Sequence, residues 1–382
     1  MFAFELWREF KLSIAEIYAL FPEIKVVFYH PSVLVVDNIT SETLLQNAKK
    51  LGGTIKIMEV KEVFGDNYEI LDENIDWNYE GKFHYAISTY GEKKNLKDYL
   101  KVSKEVIKAH GFNPRFVNGD FKNISSVAII KEALVKKGTD FNFIYWDDRI
   151  FFGKTIWVQD IYGYSNRDYG KQRDMNIGML PPKLAQMMIN LSLGNTIYDP
   201  FVGLGTVLIE SVHMGNNRVF WSDLNPRMVT TANDNLKNLQ KNLTCNHTIF
   251  LQNAKYIHEI EIGLNNLSIV TEGYLWEVMT KSNMNYERIQ KQREKLSDLY
   301  EWFFSGLKKL NFKGNIVISF PFWEMQWKYF YFEEIYAILE KYTNILPLLP
   351  ENLWVSTTKS GSLLYKRDSQ LVWREIFALQ LK

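Results

Sequence analysis

Cysteine is almost absent from this 382-residue chain, which contains Cys245 alone, so no intramolecular disulfide can form. A lone thiol is typical of proteins from reducing compartments. Long apolar runs are absent too, since no stretch approaches the ~18 uncharged residues that a membrane-spanning helix needs. The first apolar segment is interrupted by charged side chains, unlike a secretory signal: Glu5, Arg8, Glu9 and Lys11. The composition therefore predicts a soluble, cytoplasmic protein without membrane contact.

Charge of one sign is also scarce. The net charge is +1, so the overall balance indicates no class of partner. The six histidines form neither an H-x-x-x-H pair nor a cysteine-linked pattern, so no metal site is expected. Hydrophobic residues make up 46% of the chain. The length allows two or three domains with sizeable cores.

The clearest pattern in the sequence lies near its centre. NTIYDPFVGLGTVLIESV (195–212) predicts a strand, a glycine turn and a helix. NRVFWSD (217–223) predicts a second strand, and Asn225-Pro226 predicts the start of a second helix. This order predicts a βαβ unit with parallel strands.

An acid that follows such a glycine turn by about 20 residues hydrogen-bonds ribose hydroxyls in nucleotide-binding βαβ units. Asp223 follows Gly205 by 18 residues. The third glycine of the dinucleotide fingerprint is missing, with Leu208 in its place, and no Lys-Ser/Thr pair follows. The turn therefore favours a nucleoside cofactor without phosphates, S-adenosylmethionine. The alternative is a glycine turn that serves packing alone, which the flanking aspartates disfavour.

These residues resemble a known family. DPFVGLGTVLIES (199–211) resembles motif I of class I methyltransferases that act on exocyclic amines. RDMNIGMLPPKLAQMMINLSLG (173–194) resembles the segment before motif I in THUMP-containing tRNA guanine-N2 methyltransferases of the guanosine-10 type. Further similar segments are distributed along most of the chain: 51–60, 115–134, 153–174 and 363–376.

The resemblance implies an α/β fold with three domains. A ferredoxin-like domain (1–65) and a THUMP-like RNA-binding domain (66–165), both α+β, would precede a Rossmann-like methyltransferase domain (166–382). The last would contain a seven-stranded sheet with an antiparallel edge hairpin. It also implies an enzyme that uses S-adenosylmethionine to methylate the exocyclic N2 of a guanosine in tRNA, with guanosine-10 as the expected position. Some relatives act with a small activator protein, and the sequence leaves that partner open.

The resemblance also implies which residues bind S-adenosylmethionine. In the family an acid often meets the adenine ring where this chain has the uncharged Asn253. The helix predicted after Pro181-Pro182 is more readily explained as core than as a cofactor site, so its entry at Met179 is the stronger candidate. The full predicted set is Met179, Leu180, Asp199, Pro200, Phe201, Gly203, Gly205, Thr206, Asp223, Leu224, Asn253 and Ala254.

The catalytic motif departs from the family pattern. Where the family carries Asp-Pro-Pro-Tyr, this chain has Thr271-Glu272-Gly273-Tyr274. We expect Glu272 to accept a hydrogen bond from the target amine and to stabilise the positive charge that develops on nitrogen. Tyr274 would stack on the base, and Thr271 completes the predicted catalytic set. The aromatic pair Phe322-Trp323 could contact a flipped base, although a place in the core explains it better.

A basic stretch precedes the methyltransferase segment. Residues 91–137 contain 11 Lys/Arg against 5 Asp/Glu. A solvated lysine-rich surface explains this excess when it is taken alone, whereas the THUMP resemblance favours contacts to an RNA backbone. The predicted RNA-binding residues are Lys104, Lys108, Arg115 and Lys122.

Two other functions stay open. The chain could methylate an amine in DNA or in another RNA, or it could bind tRNA without catalysis because its catalytic motif has diverged. In the linker, Arg167 could bind a phosphate or pair with its neighbour Asp168.

Overall fold

The structure is a computed structural model. It describes the chain except for these residues: 64–66, 75–81, 92–95, 120–121, 173–178, 217, 240–244, 262, 264–265, 276–278, 281, 352, 354 and 368–369.

The secondary structure alternates short strands and helices throughout. The elements up to residue 161 are β1 (Phe2–Leu6), α1 (Phe10–Leu20), β2 (Lys25–His30), β3 (Val33–Asp37), α2 (Ser41–Asn47), β4 (Thr54–Val63), α3 (Asn67–Asn74), β5 (Lys82–Tyr90), α4 (Leu96–Ala109), β6 (Asn113–Phe116), α5 (Ser126–Lys131), α6 (Leu134–Lys137), β7 (Gly138–Trp146) and β8 (Arg149–Val158). The later elements are α7 (Ile161–Tyr169), α8 (Pro182–Leu191), β9 (Thr196–Asp199), α9 (Thr206–His213), β10 (Arg218–Asp223), α10 (Pro226–Leu239), β11 (Asn246–Leu251), β12 (Leu267–Thr271), α11 (Tyr286–Lys309), β13 (Ile316–Met325), β14 (Lys328–Phe330), α12 (Glu334–Tyr342), β15 (Thr343–Ile345), β16 (Leu363–Tyr365) and β17 (Val372–Leu381). Two 3-10 helices lie at Ala48–Lys50 and Ala254–Glu259.

The chain divides into two compact units. The first comprises residues 1–10, 21–49 and 53–161, and the second comprises 11–20, 50–52 and 162–382. The first unit contains an eight-stranded sheet in the order β2-β3-β1-β4-β8-β7-β5-β6. Strands from both predicted N-terminal domains share this sheet, because β4 pairs with β8. The division into 1–65 and 66–165 stays a prediction.

A buried ion pair lies inside the first unit. The ammonium of Lys56 lies 2.5 Å from a carboxylate oxygen of Asp140, and both side chains are fully buried. The hydroxyl of Thr155 donates to the same carboxylate at 2.6 Å, and that of Ser88 donates at 3.2 Å. A buried charge is tolerated only when it is paired and hydrogen-bonded, and these contacts meet that requirement.

The second unit contains a sheet whose main path runs β11-β10-β9-β12-β13-β17-β15. The first five strands are parallel, and β17 is antiparallel to both β13 and β15. The predicted Rossmann-like α/β architecture is confirmed for this unit. Among the described residues this main path has the expected seven strands, and β14 and β16 pair with it from outside.

Side-chain burial decides between the alternative roles that the sequence left open for Phe322, Trp323 and Arg167. Phe322 and Trp323 are fully buried, so they belong to the core rather than to a base-binding surface. Arg167 is also buried, and its guanidinium donates to Glu210 at 2.8 Å, so a buried ion pair accounts for this arginine. The sequence also predicts a turn at Arg367-Asp368 in the edge hairpin, and Asp368 lies outside the described residues.

Within the described part of the chain, no helix is long and apolar enough to cross a membrane.

Candidate functional site

Polar residues follow the parallel strands of the second unit at one edge of the sheet. β9 ends at Asp199, β10 at Asp223 and β12 at Thr271. β10 pairs in parallel with β9 and β11, and β12 pairs in parallel with β9. Since the carboxyl ends of parallel strands meet at one edge, the three side chains come together where open α/β sheets bind ligands.

Asp223 holds the glycine turn against β10. Its two carboxylate oxygens accept hydrogen bonds from the backbone N–H groups of Gly203, at 3.1 Å, and Asn225, at 2.9 Å. Burial raises the pKa of Asp223, and these backbone hydrogen bonds oppose the rise. The carboxylate is thereby fixed beside the turn with remaining acceptor capacity.

The two glycines of the turn have different roles. Gly203 has φ +52°, and a Cβ there would meet only the carbonyl oxygen of Phe201, at 4.0 Å. Gly205 has φ +84°, and its Cβ would lie 3.1 Å from the Cβ of Ala232 in α10. Gly203 therefore keeps the backbone open, whereas Gly205 allows two helices to pack closely.

Asp199 is a buried acid with an unusual proton affinity. Burial raises its pKa to about 7, and the negative charges of Asp223 and Glu272 contribute to the rise. Hydrogen bonds from the hydroxyl of Thr271 and the N–H of Phe201 oppose it. Near neutral pH this group can change its charge in response to a ligand.

The turn after β12 requires glycine. Gly273 has φ +70°, and a Cβ there would lie 2.5 Å from the hydroxyl of Tyr300 and 2.7 Å from the carbonyl oxygen of Ser319. Proline, whose φ is fixed at about −65°, cannot adopt this conformation. The Tyr300 hydroxyl accepts a hydrogen bond from the N–H of Tyr274 at 2.9 Å. Thr271-Glu272-Gly273-Tyr274 therefore has its own backbone conformation.

The carboxylate of Glu272 is paired with a buried arginine. Nε of Arg374, on β17, donates to Oε1 of Glu272 at 2.5 Å, and Nη2 contacts the same oxygen. The arginine is 1% exposed. The Ser319 hydroxyl donates to the backbone carbonyl of Glu272 at 2.6 Å. Both ends of Glu272 are therefore held in place.

A cavity of about 950 Å³ opens at this edge. It is lined by eleven of the predicted cofactor residues: Met179, Leu180, Asp199, Pro200, Phe201, Gly203, Thr206, Asp223, Leu224, Asn253 and Ala254. Glu272 and Tyr274 line the same cavity, whereas Gly205 and Thr271 are absent from its lining. The side-chain oxygen of Asn253 caps the following 3-10 helix through the N–H of Lys255, at 3.0 Å. Among the described residues, no group of three or more His, Cys, Asp or Glu side chains could hold a metal ion.

Several residues that line the cavity were not predicted from the sequence. Lys295, Asp298 and Leu299 of α11 line the cavity, although their spacing indicates only an amphipathic helix. Lys255 and Tyr256 also line it. They could have been found, because they lie four and five residues after the end of β11 at Leu251. No local pattern pairs Arg374 with Glu272, which lies 102 residues away.

The predicted RNA-binding residues lie in the first unit. Lys104 and Lys108 are exposed on α4, Arg115 is exposed on β6, and Lys122 is exposed in the loop that follows. One nitrogen of Arg115 lies 3.8 Å from Glu132.

Comparison with known protein families relates the central part of the chain to methyltransferases. Residues 170–324 match the family model described as RMKL-like, methyltransferase domain. The match identifies this segment as a methyltransferase domain, and it covers less than half of the chain. The matched residues contain the glycine turn, Asp223 and the Glu272 turn described above.

Individual relatives give narrower information. A stretch of 63 residues is 46% identical to a tRNA (guanine(10)-N2)-dimethyltransferase of Methanothermobacter thermautotrophicus. That match covers 16% of this chain and 18% of the length of the curated relative. TrmN from Thermus thermophilus is structurally similar with a TM-score of 0.53 and 15% identity, over 100% of this chain and 99% of that one. At this identity the likeness shows a shared fold.

The pairing of Glu272 with Arg374 generates a test. Replacing either partner leaves the other without its partner, so Glu272→Ala and Arg374→Met should each destabilise the protein. The double variant should be more stable than the sum of the two losses predicts, by about 1–3 kcal/mol. Urea unfolding followed by tryptophan fluorescence measures this coupling. Losses that add to within about 0.5 kcal/mol would show that the pair contributes no coupling.

Proposed function

We propose that this protein is an S-adenosylmethionine-dependent tRNA methyltransferase that modifies the exocyclic N2 of a guanosine, with guanosine-10 as the expected position. The observation that carries the proposal is one cavity lined both by the Gly203–Asp223 pair and by the Glu272–Tyr274 turn. The methyltransferase domain supports the reaction class. The 63-residue stretch that is 46% identical to a tRNA (guanine(10)-N2)-dimethyltransferase supports the substrate and the atom.

The cavity fits a nucleoside cofactor. Its volume lies within the range of about 300–1,000 Å³ that is usual for small-molecule sites. The carboxylate of Asp223 would accept hydrogen bonds from ribose hydroxyls beside the open backbone of Gly203. Phe201, Leu204 and Met228 supply apolar surface. When bound, S-adenosylmethionine supplies an electrophilic methyl group on its sulfonium.

Glu272 would position the target amine. The carboxylate already contacts Arg374, so it would act as an oriented hydrogen-bond acceptor. A hydrogen bond from the guanine N2 amine would aim the nitrogen lone pair and would stabilise the positive charge that develops on it. The Arg374 contact and the Ser319 hydroxyl keep this acceptor in one place.

Tyr274 would meet the target base. Its side chain is 43% exposed, whereas its backbone N–H is fixed by Tyr300. A base inside an RNA stem must leave its stack to reach such a ring, so base flipping is part of the proposal.

The first unit would bind the RNA backbone. The exposed lysines of α4 follow helical spacing on one face: Lys97, Lys101, Lys104 and Lys108. With Arg115 and Lys122 they form a basic surface suited to phosphates. The proposal includes a THUMP-like RNA-binding role for residues 66–165. A small activator protein stays a prediction, and no surface is assigned to it.

One observation favours a second candidate, a protein that binds tRNA without catalysis. The hydroxyl of Thr271, at the position of the family aspartate, bonds to the buried Asp199, and the Glu272 carboxylate is already paired. The activity measurement below separates the two candidates.

The purified protein should transfer labelled methyl groups from S-adenosylmethionine to bulk tRNA and produce N2-methylated guanosine. Glu272→Ala should lower kcat by about a hundredfold or more, because it removes the amine acceptor. Its cofactor affinity should stay within about twofold, which also shows that the site is still folded. The matched control is Glu294→Gln, an exposed position on α11 that does not line the cavity.

Retained turnover in Glu272→Ala would refute the role of Glu272. A methylated adenine would point to another amine substrate. Wild-type protein that binds tRNA and cofactor but transfers no methyl would support the non-catalytic candidate.

The pKa of Asp199 predicts a pH dependence of cofactor binding. The raised pKa of about 7 means that the group is largely protonated below neutrality. A cationic cofactor prefers the ionised form, so its affinity should rise with pH toward and through this value, by at most about tenfold per pH unit for one proton. Isothermal titration calorimetry between about pH 5.5 and 7.5 measures it.

The control for this dependence is Asp199→Asn, which keeps the side-chain shape but cannot ionise. Subtracting its pH profile removes the contributions of Asp223 and Glu272, which face the same cavity. Identical profiles for the two proteins would show that Asp199 does not sense the cofactor charge.

A further inference from the structure

β13 does not stop at the edge of the sheet where the cavity opens. Its neighbour β12 ends at Thr271, which pairs with Ile318. β13 continues to Met325, so it extends roughly 20 Å past that level. It then turns at Gln326-Trp327 and returns as β14, with Met325 opposite Lys328. The hairpin therefore projects from the cavity side of the sheet.

The sequence of the turn is unfavourable for its conformation. Gln326 has φ +53° and Trp327 has φ +64°. A two-residue turn with both φ values positive is usually built from Asn-Gly or similar pairs, because other side chains are strained there. Trp327 gains no burial in exchange, since it is 91% exposed. Folding alone therefore does not explain a tryptophan at this position.

The surface beside Trp327 combines aromatic rings with positive charge. Tyr329 is 45% exposed, and the ammonium of Lys366 lies 4.4 Å from its ring centroid and 4.9 Å from that of Trp373. Lys328 lies between Trp327 and Tyr329 in the sequence, Arg367 follows Lys366, and both side chains are exposed. The nearest acid along the hairpin is Glu324. We call Trp327, Lys328, Tyr329 and Lys366 the tip surface.

Exposed rings interleaved with lysines are the arrangement that binds single-stranded nucleic acid. Bases stack on the rings irrespective of sequence, and the cations contact the phosphates. A lipid surface would call for more apolar area than one tryptophan, and a protein partner would call for a larger apolar patch.

We propose that the tip surface binds an unpaired nucleotide of the RNA substrate, with its base stacked on Trp327 and its phosphate near Lys366. This inference rests on the proposed function, because it needs a polynucleotide one of whose bases enters the cavity. A flipped base leaves its neighbours unstacked, and a platform projecting from the cavity edge could hold one of them.

The decisive variant is Trp327→Gly. Glycine accepts the positive φ, so thermal stability should stay equal or rise. The Kd and the KM for tRNA should rise about tenfold, which is the expected size of one lost base stack. The kcat and the cofactor affinity should stay within about twofold. The matched control is Trp302→Ala, since Trp302 is 51% exposed on α11 and should leave the RNA affinity unchanged.

A second variant tests the charge. Lys366→Gln should lower the slope of log Kd against log salt by about one unit, because one phosphate contact is lost.

Wild-type activity on tRNA is measured in parallel. If the wild type neither binds nor methylates RNA, the proposed function fails. If it does both and Trp327→Gly binds tRNA as tightly as the wild type, only the role of the tip surface is wrong. A Trp327→Gly change confined to self-association or to vesicle binding would likewise overturn it.

Discussion

The site depends on the bond between Asp223 and the backbone of Gly203. The aspartate at the end of one parallel strand accepts the N–H of a turn that follows the neighbouring strand. This bond fixes the open backbone of the turn next to a carboxylate with unused lone pairs. Parallel pairing already brings the strand ends to one edge, and the bond joins the turn to that edge beside the cavity that Asp199 and Glu272 also line.

We propose that the Thr271-Glu272-Gly273-Tyr274 turn serves catalysis in a backbone conformation of its own. Tyr300 and Ser319 leave no room for a side chain at Gly273, and its positive φ excludes proline. The turn therefore places a glutamate at the cavity wall, where Arg374 fixes its carboxylate from a different strand. In the proposed function, Glu272 would be an acceptor whose position is set by tertiary structure.

The parts that could be predicted from the sequence are those with local signals. Strand ends at Asp199, Asp223 and Thr271 follow from apolar runs stopped by polar residues, and parallel pairing then brings them together. The contact of Arg374 with Glu272 and the cavity-lining face of α11 could not be predicted, because both depend on contacts between residues distant in sequence. The separate roles of Gly203 and Gly205 escaped as well, since only the position of Ala232 distinguishes them. The turn at Gln326-Trp327 also gave no signal, because it lacks the usual Asn-Gly pair.

The most direct measurement is a crystal structure of the protein soaked with S-adenosylhomocysteine, the demethylated form of the cofactor. The account predicts ligand density over the Gly203 turn, with the ribose hydroxyls within hydrogen-bond distance of the Asp223 carboxylate and the sulfur facing the Glu272–Tyr274 turn. An empty cavity at saturating ligand, or a ligand bound away from Asp223, would contradict the account.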